Sequence, residues 1–344
     1  MVESGVLVPQ EAATGAPRIY GTGLIALDLV VSANASRPVQ AWAGGTCGNV
    51  LAILSFLGWD SYPIARMNYA PAAHRIELDL KRWGVSTELL HCTPMTEAPV
   101  IVQQNRIRSD GTPTHKFTWA CPRCGNWLPS FRPITRAAVA SIEDSMNEPA
   151  VFFLDRVFPA ALALAKVAAA KGALIVFEPS GRSDPRLFAE ALKVSHVVKY
   201  SEQRLSGIDD TMIRGSSALL EIQTLGDNGL RFRTRATKKW HEWRKIDAVR
   251  TERVVDTSGA GDWCTAGLLS QVASGGIEEF QRFNVKELRD GLRYGQTLAA
   301  WNCGFEGARG GMYESEAEHP KAPNAEPLSR TSVDSAQEVC PACP

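Results

Sequence analysis

The sequence predicts an α/β fold: a central, mostly parallel sheet with helices on both faces and a small β lid. Three observations predict it. From residue 150 onward, short apolar runs alternate with helical patterns, the sign of parallel strands joined by crossover helices. A hairpin at 100–120 stands outside that alternation. The stretch Asp256-Thr257-Ser258-Gly259-Ala260-Gly261-Asp262 joins the apolar pair Val254-Val255 to the apolar segment Trp263 to Val272, which reads as strand end, glycine-rich turn and helix start.

The elements follow in order. Residues 1–17 read as a flexible leader, with neither the apolar core nor the basic cluster of a signal peptide. Segments 18–33 and 38–43 read as strands. Gly44-Gly45 leads into a helix from Asn49 to Leu57, closed by Gly58. Residues 62–67 read as a strand, and a helix near 73–83 ends at Gly84. Val100–Arg108 and Thr114–Ala120 flank Ser109-Asp110-Gly111-Thr112-Pro113, a turn signal between two strands. Val151–Leu154 reads as a buried strand and Ala160–Ala170 as a helix closed by Gly172. Leu174–Phe177 is read as a strand, 185–193 as a helix and His196–Tyr200 as a strand, with a further helix from Glu202. Glu221–Leu225 is read as a strand, and Gly229–Arg233 pairs back on it. From Glu314 to Glu338 the chain is polar and proline-rich. Residues 314–344 therefore read as a tail, ending in Cys340-Pro341-Ala342-Cys343-Pro344.

Composition narrows the function. The 344 residues carry zero formal net charge and 44% hydrophobic residues, and no apolar run has the length of a membrane span. A general nucleic-acid binder or membrane-surface protein is not indicated, and the compartment expected is the cytoplasm. Gly21-Thr-Gly23-Leu-Ile-Ala26 matches a loose dinucleotide pattern, but a strand-like run follows it and the acidic partner is missing; no P-loop motif is present.

The 256–262 stretch carries the chemistry. Gly259, Ala260 and Gly261 let backbone N–H groups approach an anion at a helix N-terminus. A carboxylate beside such an anion hole would repel phosphate, unless Asp262 takes the proton of a hydroxyl that attacks a phosphoryl group held there. Of eight cysteines, four form pairs, Cys121/Cys124 and Cys340/Cys343. Cys121-Pro122-Arg123-Cys124-Gly125 has the form of a zinc knuckle. Two readings stand open: one structural Zn²⁺ held by all four thiolates, or two unrelated thiol pairs. Trp119 and Trp127 flank the knuckle.

These motifs, in this order from about Arg18 to Met312, resemble the ribokinase-like (PfkB) carbohydrate kinases. The resemblance rests on Asp256-Thr-Ser-Gly-Ala-Gly-Asp262 and on Gly44-Gly45-Thr-Cys-Gly-Asn49 followed by an apolar helix. Phe177-Glu178-Pro179, Thr224-Leu225-Gly226-Asp227-Asn228-Gly229 and Gly307-Ala308-Arg309-Gly310-Gly311 add to it. It implies the ribokinase-like fold over 18–313, with the lid at about 25–45 and 98–130. It also implies ATP-dependent phosphorylation of a small sugar, with Asp262 as base and the 259–261 amides as anion hole. Asp28, Gly44, Gly45 and Asn49 would bind the sugar. Thr224, Gly226, Gly229 and Asn302 would line the nucleotide. Mg²⁺ would lie near Glu202, and Asp256 matches a position linked to a monovalent cation in some members. A homodimer through the lid is a further implication.

The departures set the alternatives. Where the family carries Asn-x-x-Glu, this chain has Ser201-Glu202-Gln203-Arg204, which changes how Mg²⁺ is handled. Ala26 replaces a polar residue that ribokinases use on the sugar, and Thr46 replaces a lysine, so plain ribose is not the acceptor expected. A nucleoside kinase of the same fold and a catalytically weak kinase-fold interaction protein are the other readings.

Overall fold

The computed structural model describes residues 15–318, apart from 94–95, 182–183, 206–207, 209 and 237–238. The first part of the chain forms β1 (Arg18–Thr22), β2 (Ala26–Val31), β3 (Gln40–Gly44), α1 (Thr46–Phe56), β4 (Asp60–Met67), α2 (Pro71–Arg82), β5 (Leu90–Cys92), β6 (Val100–Ile107) and β7 (Pro113–Thr118). Then come α3 (Val139–Ser145), β8 (Pro149–Leu154), α4 (Pro159–Ala170), β9 (Leu174–Phe177), α5 (Pro185–Val194), β10 (Val197–Ser201), α6 (Asp210–Arg214) and β11 (Leu220–Thr224). The last are β12 (Leu230–Ala236), β13 (Lys239–Trp240), β14 (Arg244–Ile246), α7 (Ala260–Val272), α8 (Gly276–Phe280), α9 (Val285–Asn302) and α10 (Gly310–Glu318).

The large sheet runs β13-β12-β11-β10-β9-β8-β1-β4-β5, with β14 also on β12. From β11 to β5 every pairing is parallel, and β12 is antiparallel. Its central strands β8 and β9 are apolar on both faces. In β8, Val151 and Phe153 join one core with α1, α7 and α9 residues, while Phe152 and Leu154 join another with α4 and α5 residues. A period-two alternation between two cores is what a parallel sheet covered on both sides requires. Strand order reverses between β1 and β8, the kind of crevice where open α/β sheets bind ligands.

A separate four-stranded sheet runs β3-β2-β6-β7. The stretch 18–33 is therefore two strands in two sheets. The break is Gly23, at φ 148°, where an added Cβ would fall 1.7 Å from Asp155 Oδ1. The hairpin turn forms as expected: Gly111 has φ 81°, and Thr112 N–H donates to Asp110 Oδ1 at 2.9 Å.

Four other expectations are corrected. Val254-Val255 is not a strand end: Val255 N–H bonds Cys303 O at 2.7 Å, so the end of α9 anchors the 256–262 turn. No helix begins at Glu202, because its N–H is taken by Thr224 O at 3.0 Å and the chain makes a single turn there. The helix expected from Asn49 starts three residues earlier, at Thr46. Tyr313 stacks on Trp42 (centroids 4.2 Å), and α10 continues to Glu318, into the segment read as tail. The leader up to residue 14 and the tail from 319 lie outside the described residues. No helix among the described residues is long and apolar enough to cross a membrane.

Helices α7 and α9 cross at glycines. A Cβ on Gly295 would sit 2.4 Å from Cys264 O, and one on Gly267 2.5 Å from Gly295 Cα. We expect Gly295→Ala to destabilise the protein by about 1–3 kcal/mol, because overpacking outweighs the ~1 kcal/mol of helix propensity gained. Urea denaturation checks this; a stabilised variant would show that the crossing is not close-packed.

Candidate active site

Two glycine-opened helix starts build the site. At the first, Gly45 caps α1 with φ 77°, and a Cβ there would lie 2.4 Å from Leu24 O. A Cβ on Gly44 would overlap Asp28 Oδ2 at 1.9 Å. Only glycine lets the loop close on β2. Asp28 is buried and accepts from Gly45 N–H at 3.3 Å, while its Oδ1 has no hydrogen-bond partner among the described residues. Burial pushes its carboxyl up to about 7, against the opposing pull of Gly45 N–H and Arg309. A buried acceptor without a protein donor can take one from a hydroxyl.

At the second, Gly259 caps α7 in the left-handed region, φ 72°, and a Cβ there would meet Ala308 O at 2.3 Å. Trp263 N–H makes the first regular bond back, to Gly259 O at 2.9 Å. The N–H groups of Gly261 and Asp262 precede that ladder, at the positive end of the helix. Asp262, in the first turn, accepts from Asn49 Nδ2 at 2.8 Å. Burial pushes its carboxyl up to about 7; the charge of Glu178 adds to this, and Asn49, Lys199 and Arg204 oppose it.

Arg309 sets the direction of the Asn49 amide. It is 1% exposed and donates from Nε to Asn49 Oδ1 at 3.2 Å, and from Nη2 to Asp79 Oδ2 at 2.8 Å and to Ala43 O. With its carbonyl oxygen taken, Asn49 must present its NH₂ to Asp262. Asp79 is held in turn by Ala43 N–H and by the Tyr313 hydroxyl, both at 2.8 Å.

Beneath α7, Lys199 of β10 donates to Glu178 Oε1 at 2.5 Å and to Gly261 O at 3.1 Å. Thr265 Oγ1 donates to Glu178 Oε2 at 2.6 Å. At the switch point, Asp155 follows β8, is 1% exposed and accepts from Leu24 N–H at 2.8 Å. Burial holds its carboxyl up at about 6, although Arg156 beside it pulls the other way.

Asp28, Gly44, Gly45 and Asn49 are thus brought to Gly259, Ala260, Gly261 and Asp262. Thr224 ends β11 beside Ser201 of β10, and Gly226 and Gly229 turn the chain into β12. Gly229 has φ 86°, and a Cβ there would lie 2.2 Å from Ile246 O. Exposed Glu202 is joined to this turn through its backbone. Asn302 is fully buried, and its amide is spent on Gly307 O, Ala308 O and Gly311 N–H, so it braces the 307–311 loop. Asp256 is 3% exposed. Burial alone would raise its carboxyl, but His115 and the N–H groups of Ser258 and Gly307 hold it at about 2.

Cys121 is buried and Cys124 exposed, at a turn opened by Gly125 with φ 75°. Cys340 and Cys343 lie outside the described residues. Among the described residues no group of three His, Cys, Asp or Glu is placed to hold a metal ion.

Sequence reasoning passed over Asp155, Lys199 and the central role of Arg309. An acid directly after the all-apolar run Ala150–Leu154, and a lysine inside Val197–Tyr200, were the available signals.

The chain matches the family model described as pfkB family carbohydrate kinase over residues 20–314. No curated protein matches. Among solved structures, ribokinase from Giardia lamblia aligns with TM-score 0.64 at 15% identity, covering 86% of this chain and 95% of that one. Fructokinase with bound ATP from Xylella fastidiosa aligns with TM-score 0.63 at 17% identity, covering 88% and 99%. The Burkholderia thailandensis nucleoside kinase in complex with inosine aligns with TM-score 0.61 at 18% identity, covering 89% and 100%.

The raised carboxyls fix a stability trend. Asp262 has an ordinary value of 3.8 and sits near 7 when folded. The native state therefore binds more protons between those values, and this contribution is full below about 4 and lost as pH rises through about 7. Asp262→Asn keeps an acceptor for Asn49 and removes the charge. We expect it to be more stable than the wild type at pH 8, by on the order of 1 kcal/mol, with the gap closing near pH 4. Urea midpoints at both pH values measure this; a gap that is the same at both would contradict it.

Proposed function

Because the chain belongs to the pfkB family of carbohydrate kinases, we propose that it transfers the terminal phosphoryl group of ATP to a hydroxyl of a small sugar, with Asp262 as general base. The observation that carries this reading is a buried carboxylate, oriented by Asn49, in the first turn of a helix whose start is opened by glycine. In this reading the acceptor hydroxyl donates to Asp262, which removes its proton as the oxygen attacks phosphorus. The bond to the bridging oxygen then breaks and ADP leaves. The N–H groups of the 259–261 turn stabilise charge on the phosphoryl oxygens. Asp28, with its open Oδ1, fixes another acceptor hydroxyl.

A carboxyl near 7 suits a base working at neutral pH, since it is both ionised in part and basic enough to accept a proton. Thr224, Gly226 and Gly229 line the nucleotide, and Asn302 shapes the loop on its other side. Mg²⁺ takes one or two carboxylates plus phosphate oxygens and water. Exposed Glu202, joined to the nucleotide turn, fits as its carboxylate, because both oxygens of Glu178 are already engaged. When bound, the ion would neutralise phosphate charge. The four-stranded sheet serves as the lid that excludes water.

A specific feature favours the second reading, a nucleoside acceptor. Ala26 shares a face of β2 with Asp28, and Ile101 lies opposite Asp28 in register. These two and Leu24 form an apolar cluster with Phe117 and Phe131 packed against it. An acceptor gripped by Asp28 therefore meets an apolar, aromatic surface suited to a ring.

A coupled ADP-release assay over sugars and nucleosides separates the readings, and calorimetry with MgATP tests the interaction-protein alternative. We expect Asp262→Asn to lower kcat by about 10²–10⁴-fold with little change in ATP affinity, and wild-type kcat/KM to rise with pH through about 7. Retained turnover in that variant would sink the assignment of the base.

A further inference from the structure

Asp256 opens the same motif but is enclosed differently from Asp262. Its Oδ1 accepts from Ser258 N–H at 2.9 Å and faces His115 Nδ1 at 3.1 Å. Its Oδ2 accepts from Gln103 Nε2 at 2.5 Å, Gly307 N–H at 2.8 Å and Asn105 Nδ2 at 3.2 Å. A carboxylate offers about four lone-pair sites, and five donors exhaust them. A monovalent cation needs oxygens directed at it, and here an approaching ion would meet N–H groups. The residues around Asp256 do not fit the cation that the family resemblance attaches to this position.

Three of the five donors come from the small sheet. Gln103 and Asn105 are two apart on β6 and share a face, and His115 of β7 lies opposite Asn105 in register. Gln103 Nε2 also donates to Asn105 Oδ1 at 2.7 Å, which turns the Asn105 NH₂ toward Asp256. His115 is steadied by Phe117, ring to ring at 5.0 Å. The other two donors belong to the anion-hole machinery: Ser258 precedes Gly259, and Gly307 precedes Ala308, against which Gly259 packs.

We propose that Gln103, Asn105 and His115 form a latch that fastens the lid to Asp256 and takes the place of a bound monovalent cation in ordering the 256–259 turn. They are positioning residues: they act on the anion hole through Asp256 and touch neither acceptor nor nucleotide. The chain then needs no K⁺ to order this turn, and the turn is ordered when the lid is down.

Hydrogen exchange on the full-length protein without substrate tests this. In wild type, replacing KCl by choline chloride at equal ionic strength should leave exchange at 100–118 and 256–260 unchanged and shift Tm by less than about 1 °C. Asn105→Leu and Gln103→Leu should each speed exchange at 100–118 by about ten-fold while α9 is unchanged. His115→Ala, at a partly exposed site, gives the same readout should the buried variants fail to fold. Stabilisation of wild type by K⁺, or unchanged lid exchange in the His115 variant, would overturn the proposal. None of these readouts needs turnover, so a failed substrate panel would leave them standing.

Discussion

The hydrogen bond from Asn49 to Asp262 spans 213 residues of sequence and joins the starts of two helices. Much of the site depends on it. It holds α1 and α7 start to start, so the carboxylate that would act as base and the loop beside Asp28 share one space. It stands only because other groups fix its direction. Arg309 occupies the carbonyl of Asn49, and Asp79 anchors Arg309. With its carbonyl oxygen held by Arg309, the Asn49 side chain cannot flip, so this chain of partners converts a flexible side chain into a fixed donor.

The arrangement places negative charge where it is costly. Asp28, Asp155 and Asp262 are all buried, with carboxyls held up near 6 or 7. A core selected for stability alone would not keep three such groups. Paired charges nearby, Lys199 with Glu178 and Arg309 with Asp79, keep the surroundings satisfied and leave these three unevenly partnered. Perturbed carboxyls near a strand-order reversal are the arrangement on which the proposed site rests. Asp256 shows the contrast. Against the effect of burial, His115 and the N–H groups of Ser258 and Gly307 hold it at about 2, so it stays ionised at neutral pH.

Much of the fold was legible because its determinants are local. Apolar runs of strand length, glycine stops after helices and the Asp110-Gly111 turn report themselves within a few residues. The failures are equally physical. Nothing within 18–33 announces that Gly23 breaks it, since the reason is Asp155, just past the end of β8. Glu202 has helix-compatible neighbours, but its N–H is claimed by Thr224. Val254-Val255 reads as a strand end, yet its bonding partner is the end of α9.

By itself the sequence marked candidate residues for chemistry. Glycines at 44, 45 and 259 mark where backbone must come close, and Asp28 and Asp262 stand beside them, since a missing Cβ is a local property. Tertiary structure decided what each carboxylate is worth. Asp256 and Asp262 lie six positions apart in one motif, but one is held near 2 and the other near 7. That difference comes on one side from burial overcome by His115 and the N–H groups of Ser258 and Gly307, and on the other from burial and Glu178. Electrostatics acts through space, and the groups that set it come from distant parts of the chain.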